Sequence, residues 1–152
     1  MALLIAAERP DTVDAQILIA ELDGYLTPMY PSESRHGFSV EKLVREQVAF
    51  YVMRYNEALV GCGGLKTFPG EYAEVKRMYV RPQYRGMGFA KHMVERLCNA
   101  AQQQAIPVVR LETGIYQTEA IGLYERMGFV RIGPFGEYRL DPLSLYYEKR
   151  LT

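Results

Sequence analysis

Residues 74–97, which read EVKRMYVRPQYRGMGFAKHMVERL, decide the fold of this chain. Their pattern predicts a strand, a tight turn at 85–88 and then a helix. From Lys76 to Val94 the stretch carries five Lys or Arg side chains and no acidic one. Acidic side chains normally favour the first turn of a helix, because the unpaired backbone N–H groups there carry partial positive charge. The glycines and cations found instead predict that a bound anion, above all a phosphate, supplies the missing negative charge.

The composition indicates a globular protein of one-domain size. The chain has 152 residues, of which 49% are hydrophobic and 24% are charged. Its 18 basic residues balance 18 acidic ones, so the formal net charge is zero. General binding of nucleic acid has no electrostatic support on such a chain, and we expect no nucleic-acid partner. The cations of residues 74–97 are therefore a local feature.

The cysteines and the N-terminus favour a cytoplasmic location. Cys62 and Cys98 lie far apart without metal-type spacing, so neither a disulfide framework nor a metal site is predicted. The first residues, MALLIAAERPD, have no basic start and are too short for a signal peptide. We read them as a first strand. No stretch reaches the length needed to span a membrane, so we expect no membrane segment.

The first half of the chain is predicted to contain two helices and four strands. A strand at residues 3–7 precedes a helix that Asp11 or Thr12 caps and that ends near Gly24. An aromatic loop with two prolines follows, and Ser39 caps a short second helix. Three further strands come in antiparallel succession at residues 47–54, 58–66 and 72–81.

Two local features refine the strand pairing. Asn56-Glu57 is a plausible hairpin turn between the first two of these strands. Glycines at positions 61, 63 and 64 weaken the second strand by intrinsic preference, so they predict a bulge or a close backbone approach.

The second half of the chain predicts a parallel strand connection. Helix 86–105 has one apolar stripe and leads to a strand at 107–112, which makes the crossover that parallel strands need. A helix beginning at Gln117 or Thr118 ends at Gly128, the left-handed cap position. Strands at 129–132 and 143–150 complete the chain. The prediction is one α/β (α+β) domain over residues 1–152, with a mixed, mostly antiparallel sheet of six to seven strands and about four helices.

The glycine turn fits neither of two common nucleotide-binding fingerprints. A dinucleotide-binding loop needs a third glycine three residues beyond Gly88, where Lys91 stands. A Walker-type phosphate loop needs Gly-Lys followed by Ser or Thr, which the chain lacks. The phosphate at this turn therefore requires another explanation.

Two motifs together resemble those of the GNAT superfamily of acyl-coenzyme A-dependent N-acetyltransferases. The first is Gln83-x-x-Gly86-x-Gly88 at the start of a helix after a strand. The second is the segment AIGLYERMGF at 120–129, a helix with a central tyrosine followed by Gly-Phe. The order of the strands also matches that family's fold, and the segments at 135–138 and 141–142 look similar to a subgroup of small bacterial members.

The resemblance implies a coenzyme A site along residues 74–97. In the family the parallel strand pair splays, and the pantetheine arm lies in the gap against main-chain groups, here those of Met78, Tyr79 and Val80. Backbone N–H groups of the turn would bind the pyrophosphate, and an amide before the second helix would contact the coenzyme. The remaining residues so implicated are Gln83, Arg85, Gly86, Met87, Gly88, Phe89, Ala90, Lys91 and Gln117.

The resemblance also implies two proton-transfer residues. The family tyrosine at position 124 approaches the coenzyme sulfur, which makes Tyr124 the predicted general acid, although the position also suits a core tyrosine. Glu74 stands where many relatives keep a general base. Strand alternation places Glu74 beside Met78 and Val80, whose apolar surroundings would raise its pKa, whereas Lys76 on the same face would oppose that shift. A structural pairing of Glu74 with Lys76 or Arg77 remains the alternative.

The acceptor predicted from the resemblance is a primary amine on a small or amino-acid-like molecule, acetylated by acetyl-coenzyme A. A protein N-terminus or lysine is the runner-up acceptor, and a non-catalytic acyl-coenzyme A-binding module is the rival class. Family members often dimerise, so a second copy of the chain is a further candidate partner, with the strand at 143–150 as a candidate contact. The predicted acceptor walls are the first helices and two loops, with Tyr25, Tyr30, Glu33, Arg35, His36 and Phe135.

Overall fold

The computed structural model describes residues 2–151, which form one seven-stranded sheet with helices on both faces. None of the helices described is long and apolar enough to cross a membrane. The strands are β1 (Leu3–Ala7), β2 (Ala49–Tyr55), β3 (Ala58–Phe68), β4 (Tyr72–Val80), β5 (Val108–Gly114), β6 (Val130–Ile132) and β7 (Ser144–Arg150). The helices are α1 (Val13–Leu26), α2 (Val40–Arg45), α3 (Phe89–Gln103) and α4 (Thr118–Arg126), with short 3-10 turns at Ser32–Ser34 and Pro82–Tyr84.

The sheet has the strand order β1-β2-β3-β4-β5-β7-β6. The pair β4–β5 is parallel, and the other neighbours are antiparallel. The predicted fold class, with its mixed sheet and about four helices, is confirmed. Strand β7 lies between β5 and β6, and β6 pairs with it over residues 146–148. The terminal strand is therefore largely paired within its own sheet, which leaves little of it for a second copy of the chain.

The parallel pair separates soon after it forms. Backbone pairing between β4 and β5 is confined to Ala73 with Val109 and Glu74 with Arg110. Both strands continue beyond this point, β4 to Val80 and β5 to Gly114. The predicted splay is confirmed, and it opens a gap between the carboxyl ends of the two strands.

A bulge in β4 changes which side chains share a face. Arg77 adopts a left-handed φ of 54°, and the pairing of β4 with β3 shifts register at this point. Val75 before the bulge and Met78 after it both pack on the α3 side of the sheet, whereas Tyr79 packs on the α1 side. Strict alternation therefore fails, and the prediction that Glu74 shares a face with Met78 and Val80 is wrong.

Two hydrophobic layers enclose the sheet. The larger layer lies under α3 and α4, where the predicted stripe of α3 is buried through Phe89, Met93, Val94, Leu97 and Ala101. Buried apolar side chains of α1, α2 and β2 form the second layer on the opposite face. Each layer removes apolar surface from water, which is the main stabilising contribution to such a fold.

Local conformations agree with the sequence in several places and differ at the element ends. Thr12 caps α1 by accepting a hydrogen bond from the N–H of Ala15, and α1 continues to Leu26 instead of stopping near Gly24. Asn56 and Glu57 both have positive φ, as a tight hairpin turn of mirror-image type requires. The helix predicted from residue 86 begins at Phe89, because the preceding turn takes up 85–88.

The glycine at position 61 gives a test of backbone packing. A Cβ atom at Gly61 would lie 2.2 Å from the carbonyl oxygen of Tyr79, a backbone atom that cannot move freely. We expect Gly61→Ala to lower the free energy of unfolding by about 2 kcal/mol or more, measured by urea denaturation. The control is Gly24→Ala, in α1, where no heavy atom lies within 4 Å and alanine should stabilise the helix by up to about 1 kcal/mol. Equal stability of the two variants would contradict this close approach.

Candidate active site

The gap between β4 and β5 opens into a cleft of about 570 Å³. Its wall is built from the open edge of β4, the glycine turn, the first residues of α3, the carboxyl end of β5 and helix α4. Residues of the loop between α1 and α2 and the side chain of Tyr138 also line it. The cleft is therefore one continuous space that runs from the start of α3 to the loops near α1.

The end of the cleft at α3 is suited to an anion. Gly86 and Gly88 have φ values of 80° and 79°, a conformation that glycine adopts without strain. Gly88 is the N-cap of α3, whose first turn contains no acidic residue, and the side chains of Arg85 and Lys91 stand in the wall. This end combines free backbone donors, a helix N-terminus and two cations, the features that bind phosphate.

The predicted coenzyme residues divide into those in the wall and those outside it. The structure brings most of them together, including Met78, Tyr79 and Val80 on the open edge of β4. Gln83 and Met87 are exposed beside the turn and do not line the cleft. Arg81, a cation of the same stretch, is held by both carboxylate oxygens of Glu21 at 2.7 and 3.0 Å. Those in the wall also include Arg85, Gly86, Gly88, Phe89, Ala90, Lys91 and Gln117.

Tyr124 stands in the cleft wall on α4. Its side chain is almost fully buried, and its ring packs edge-on against Phe129 at 5.5 Å between centroids. Burial raises the pKa of the Tyr124 phenol, and the negative charge of Glu112 raises it further. The phenol therefore stays protonated at neutral pH and keeps a proton to donate.

Glu74 is buried behind the cleft wall in a hydrogen-bonded cluster. Its Oε2 atom accepts a hydrogen bond from the Tyr138 hydroxyl at 2.5 Å and lies 3.3 Å from the ammonium of Lys76. Lys76 also donates to the Tyr138 hydroxyl at 3.0 Å, and burial lowers its pKa. Tyr138 and Lys76 line the cleft, whereas Glu74 does not. The surroundings of Glu74 are thus polar and not the apolar ones that were predicted.

Glu112 is a carboxylate of the cleft wall that the sequence analysis missed. It follows Leu111 in β5, and its Oε2 atom accepts a hydrogen bond from Ser144 at 2.8 Å. Burial raises its pKa above the ordinary value, although the hydroxyl of Ser144 and the positive charge of Lys76 oppose that shift. One sequence signal was available, since side chains at the carboxyl ends of neighbouring parallel strands face the same crevice.

The acceptor end holds only part of the predicted set. Tyr25, Tyr30, Arg35 and His36 line the cleft. Glu33 is exposed and lies outside the wall, and Phe135 is buried in a separate aromatic cluster with Tyr72, Val108 and Tyr146. Phe135 therefore serves packing, whereas Tyr138 of the same loop lines the cleft. Within residues 2–151, no group of three His, Cys, Asp or Glu residues is arranged to hold a metal ion.

Comparison with known proteins accounts for this arrangement. A sequence model of the acetyltransferase (GNAT) family matches residues 16–129 of the chain. The chain belongs to the GNAT family of acetyltransferases. An IAA acetyltransferase from Azospirillum brasilense is 42% identical to it over 148 residues, which cover 97% of either chain. The resemblance drawn from the two motifs is thus confirmed.

Solved structures share the GNAT fold over nearly the whole chain. A Klebsiella pneumoniae protein described as a candidate acyl-CoA N-acyltransferase superimposes with a TM-score of 0.84 and 31% identity, covering 99% of this chain and 98% of that one. The PaiA N-acetyltransferase from Thermoplasma acidophilum, in complex with coenzyme A, has a TM-score of 0.76 at 20% identity, covering 99% of this chain and 100% of that one. The similarity to the PaiA enzyme shows a shared fold only, because the two sequences are 20% identical.

The glycine turn can be tested with a strain-matched pair of variants. We expect Gly86→Glu to weaken coenzyme A binding at least about tenfold in calorimetry, because it adds bulk and negative charge beside the anion end. Gly70→Glu is the control: Gly70 has the same left-handed φ of 79° and equally open space, but lies in the turn between β3 and β4, outside the cleft. Wild-type affinity in Gly86→Glu would refute the anion site at this turn.

Proposed function

We propose that the protein transfers the acetyl group of acetyl-coenzyme A to a primary amine of a small or amino-acid-like acceptor. The observation that carries the proposal is the single cleft, whose wall contains the glycine turn, the open edge of β4, Tyr124 and Glu112. A long, anionic thioester fits the half between the turn and Tyr124. The other half, toward the α1–α2 loop, remains for the amine.

The coenzyme is proposed to lie with its pyrophosphate at Gly86–Gly88 and its pantetheine arm along Met78–Val80. Splayed strands leave polar main-chain groups at the edge of β4, and these can hydrogen-bond the amides of the arm as a neighbouring strand would. The PaiA enzyme, which has the same fold and is in complex with coenzyme A, supports this choice of co-substrate. Arg85 and Lys91 would add positive charge near the phosphates.

The amine is proposed to attack the thioester carbonyl carbon directly, within a ternary complex. The new C–N bond forms, the C–S bond breaks, the amine loses a proton to a base, and the sulfur leaves as a thiolate. No cysteine acyl intermediate is needed. Burial raises the pKa of Cys62 to about 12 and raises that of Cys98, so neither thiol is a ready nucleophile at neutral pH.

Tyr124, the general acid predicted from the resemblance, is proposed to act on the departing sulfur by donating a hydrogen bond to it. An ordinary thiol has a pKa of about 8.5, and burial raises the pKa of the Tyr124 phenol well above that. A hydrogen bond from the phenol to the thiolate is therefore favoured over complete proton transfer. Charge on sulfur develops only as the C–S bond breaks, so this hydrogen bond strengthens in the transition state.

The proton of the amine is proposed to leave on the Glu112 side of the cleft. Glu112 stands in the wall itself, and its raised pKa makes it a stronger base than an exposed carboxylate. Glu74, which remains the base predicted from the resemblance, reaches the cleft through the Tyr138 hydroxyl and the Lys76 ammonium that it binds. Assigning the base to Glu112 or to Glu74 thus leads to different expected pH profiles for variants of the two residues.

The side chains at the acceptor end support a small acceptor over a protein chain. Residues of the loop between α1 and α2 and the side chain of Tyr138 line this part of the cleft. Tyr25, Tyr30 and Arg35 offer aromatic and cationic contacts there. The Azospirillum brasilense relative is described as an IAA acetyltransferase, so IAA belongs in the acceptor panel beside aromatic and aliphatic amines.

Thiol release from acetyl-coenzyme A tests the reaction and the role of Tyr124. With a panel of amines, wild-type protein should release thiol, and Tyr124→Phe should lower kcat about 100-fold, because it removes the donor to sulfur. Tyr147→Phe is the control, since it removes a tyrosine hydroxyl that donates to Glu125, and both residues lie outside the cleft wall. Tight coenzyme binding without thiol release for any amine or peptide would favour a non-catalytic binding module.

The pH profile distinguishes the two carboxylates. A carboxylate base works only when deprotonated, so kcat/KM should fall as the pH drops through the raised pKa of Glu112. Glu112→Gln should abolish this limb and lower kcat by about 100-fold or more at neutral pH. Glu74→Gln is the matched comparison, because it makes the same isosteric change at the carboxylate behind the cleft wall. If only Glu74→Gln removes the limb, Glu74 is the base and the assignment to Glu112 is wrong.

A further inference from the structure

Tyr30 connects two distant parts of the cleft wall. It lies in the loop after α1 and is buried, with a relative exposure of 5%. Its hydroxyl reaches the segment between β5 and α4, where it contacts Tyr116 and Gln117. The residue therefore ties the loop that walls the acceptor end to the start of the helix that carries Tyr124.

The hydrogen bonds of Tyr30 decide how the Gln117 amide is oriented. The backbone N–H of Tyr116 donates to the Tyr30 oxygen at 2.9 Å, and the Tyr30 hydroxyl donates to Oε1 of Gln117 at 2.7 Å. A phenol has one proton, and in this arrangement the proton has an acceptor. A flipped amide would bring a second donor to the phenol oxygen and would leave that buried proton without a partner. The Tyr30 hydroxyl thus favours the orientation in which Gln117 turns its oxygen toward Tyr30.

The neighbours of Tyr30 hold its phenol in place. A Cβ atom at Gly114 would lie 2.1 Å from the Tyr30 hydroxyl oxygen, so only glycine at the end of β5 leaves room for the phenol. The ring of Tyr116 packs against the Tyr30 ring at 5.4 Å between centroids. Close packing on these sides restrains the phenol, and a restrained phenol restrains the amide that it binds.

We propose that Tyr30 is a positioning residue that aims the NH₂ group of Gln117 into the cleft, to donate to an oxygen of the bound coenzyme. Gln117 lines the cleft, and within residues 2–151 its NH₂ group has no hydrogen-bond partner. The NH₂ group of Gln117 is thus available to a ligand, whereas its Oε1 atom, which accepts from the Tyr30 hydroxyl, is not. The inference rests on the proposed function, because it places coenzyme A in this cleft.

Coenzyme A binding in calorimetry tests the inference without requiring turnover. Tyr30→Phe keeps the ring and removes the hydroxyl, so coenzyme affinity should fall roughly fivefold, as for the loss of one hydrogen bond. Gln117→Glu keeps an acceptor for Tyr30 but replaces the donor by a carboxylate oxygen, so affinity should fall at least as far. The double variant Tyr30→Phe/Gln117→Ala should bind no more weakly than Gln117→Ala alone, since the two residues act through one contact.

Tyr147→Phe is the control for the loss of a tyrosine hydroxyl outside the cleft, and it should bind coenzyme A like the wild type. Wild-type affinity in Tyr30→Phe or Gln117→Glu, or full additivity in the double variant, would overturn the inference. If Tyr30→Phe unfolds, Gln117→Glu still decides the outcome, because its hydrogen bond to Tyr30 is retained. A wild-type protein that fails to bind coenzyme A would instead overturn the proposed function itself.

Discussion

Parallel pairing between β4 and β5 ends after Ala73–Val109 and Glu74–Arg110, and the rest of the site depends on that interruption. A strand buried in a sheet normally satisfies its polar main-chain groups on both edges. Beyond Glu74 the edge of β4 faces the cleft, where the Val80 carbonyl accepts from Nε of Arg85 at 3.1 Å and other polar groups can take water or a ligand. The same separation leaves room for Tyr124 to approach from α4 and for Glu112 to face the space from β5.

The bulge at Arg77 makes this geometry compatible with two hydrophobic layers. A non-glycine residue with positive φ is strained, and tertiary contacts hold it in place. The Arg77 guanidinium donates to the Asp23 carboxylate and to the Ile19 carbonyl, both on α1, while its own carbonyl accepts from the Cys62 thiol. Because the bulge inverts the strand faces, Met78 lies on the α3 side while the residues before the bulge keep Glu74 in its polar cluster.

The limits of the sequence analysis follow from the range of the interactions. Short-range signals were sufficient for the α3 stripe, the Asn56-Glu57 turn and the glycine turn, because neighbouring residues fix those conformations. The glycines of β3 predicted an irregularity, and the pairing of β3 with β4 shifts register between Cys62 and Gly64. The left-handed conformation of Arg77 opposite them was not predicted, since its side chain is held by Asp23, 54 positions away. Glu112 was not predicted because its raised pKa also depends on long-range packing. That pKa is raised by burial, and the burial depends on how β5 separates from β4. Motif resemblance supplied the family, but it could not supply these long-range contacts.

Desolvation is the largest cause of the pKa shifts of two groups in the cleft wall, the Glu112 carboxyl and the Tyr124 phenol. It raises the pKa of the Glu112 carboxyl, which makes the carboxylate more basic, and it raises the pKa of the Tyr124 phenol, which keeps the phenol protonated. The negative charge of Glu112 adds to the shift of Tyr124, so the proposed base also helps to keep the proposed donor in its protonated form. A coenzyme arm in the gap would exclude further water and strengthen both effects. In the proposed mechanism, burial beside one cleft thus favours both a basic carboxylate and a protonated phenol.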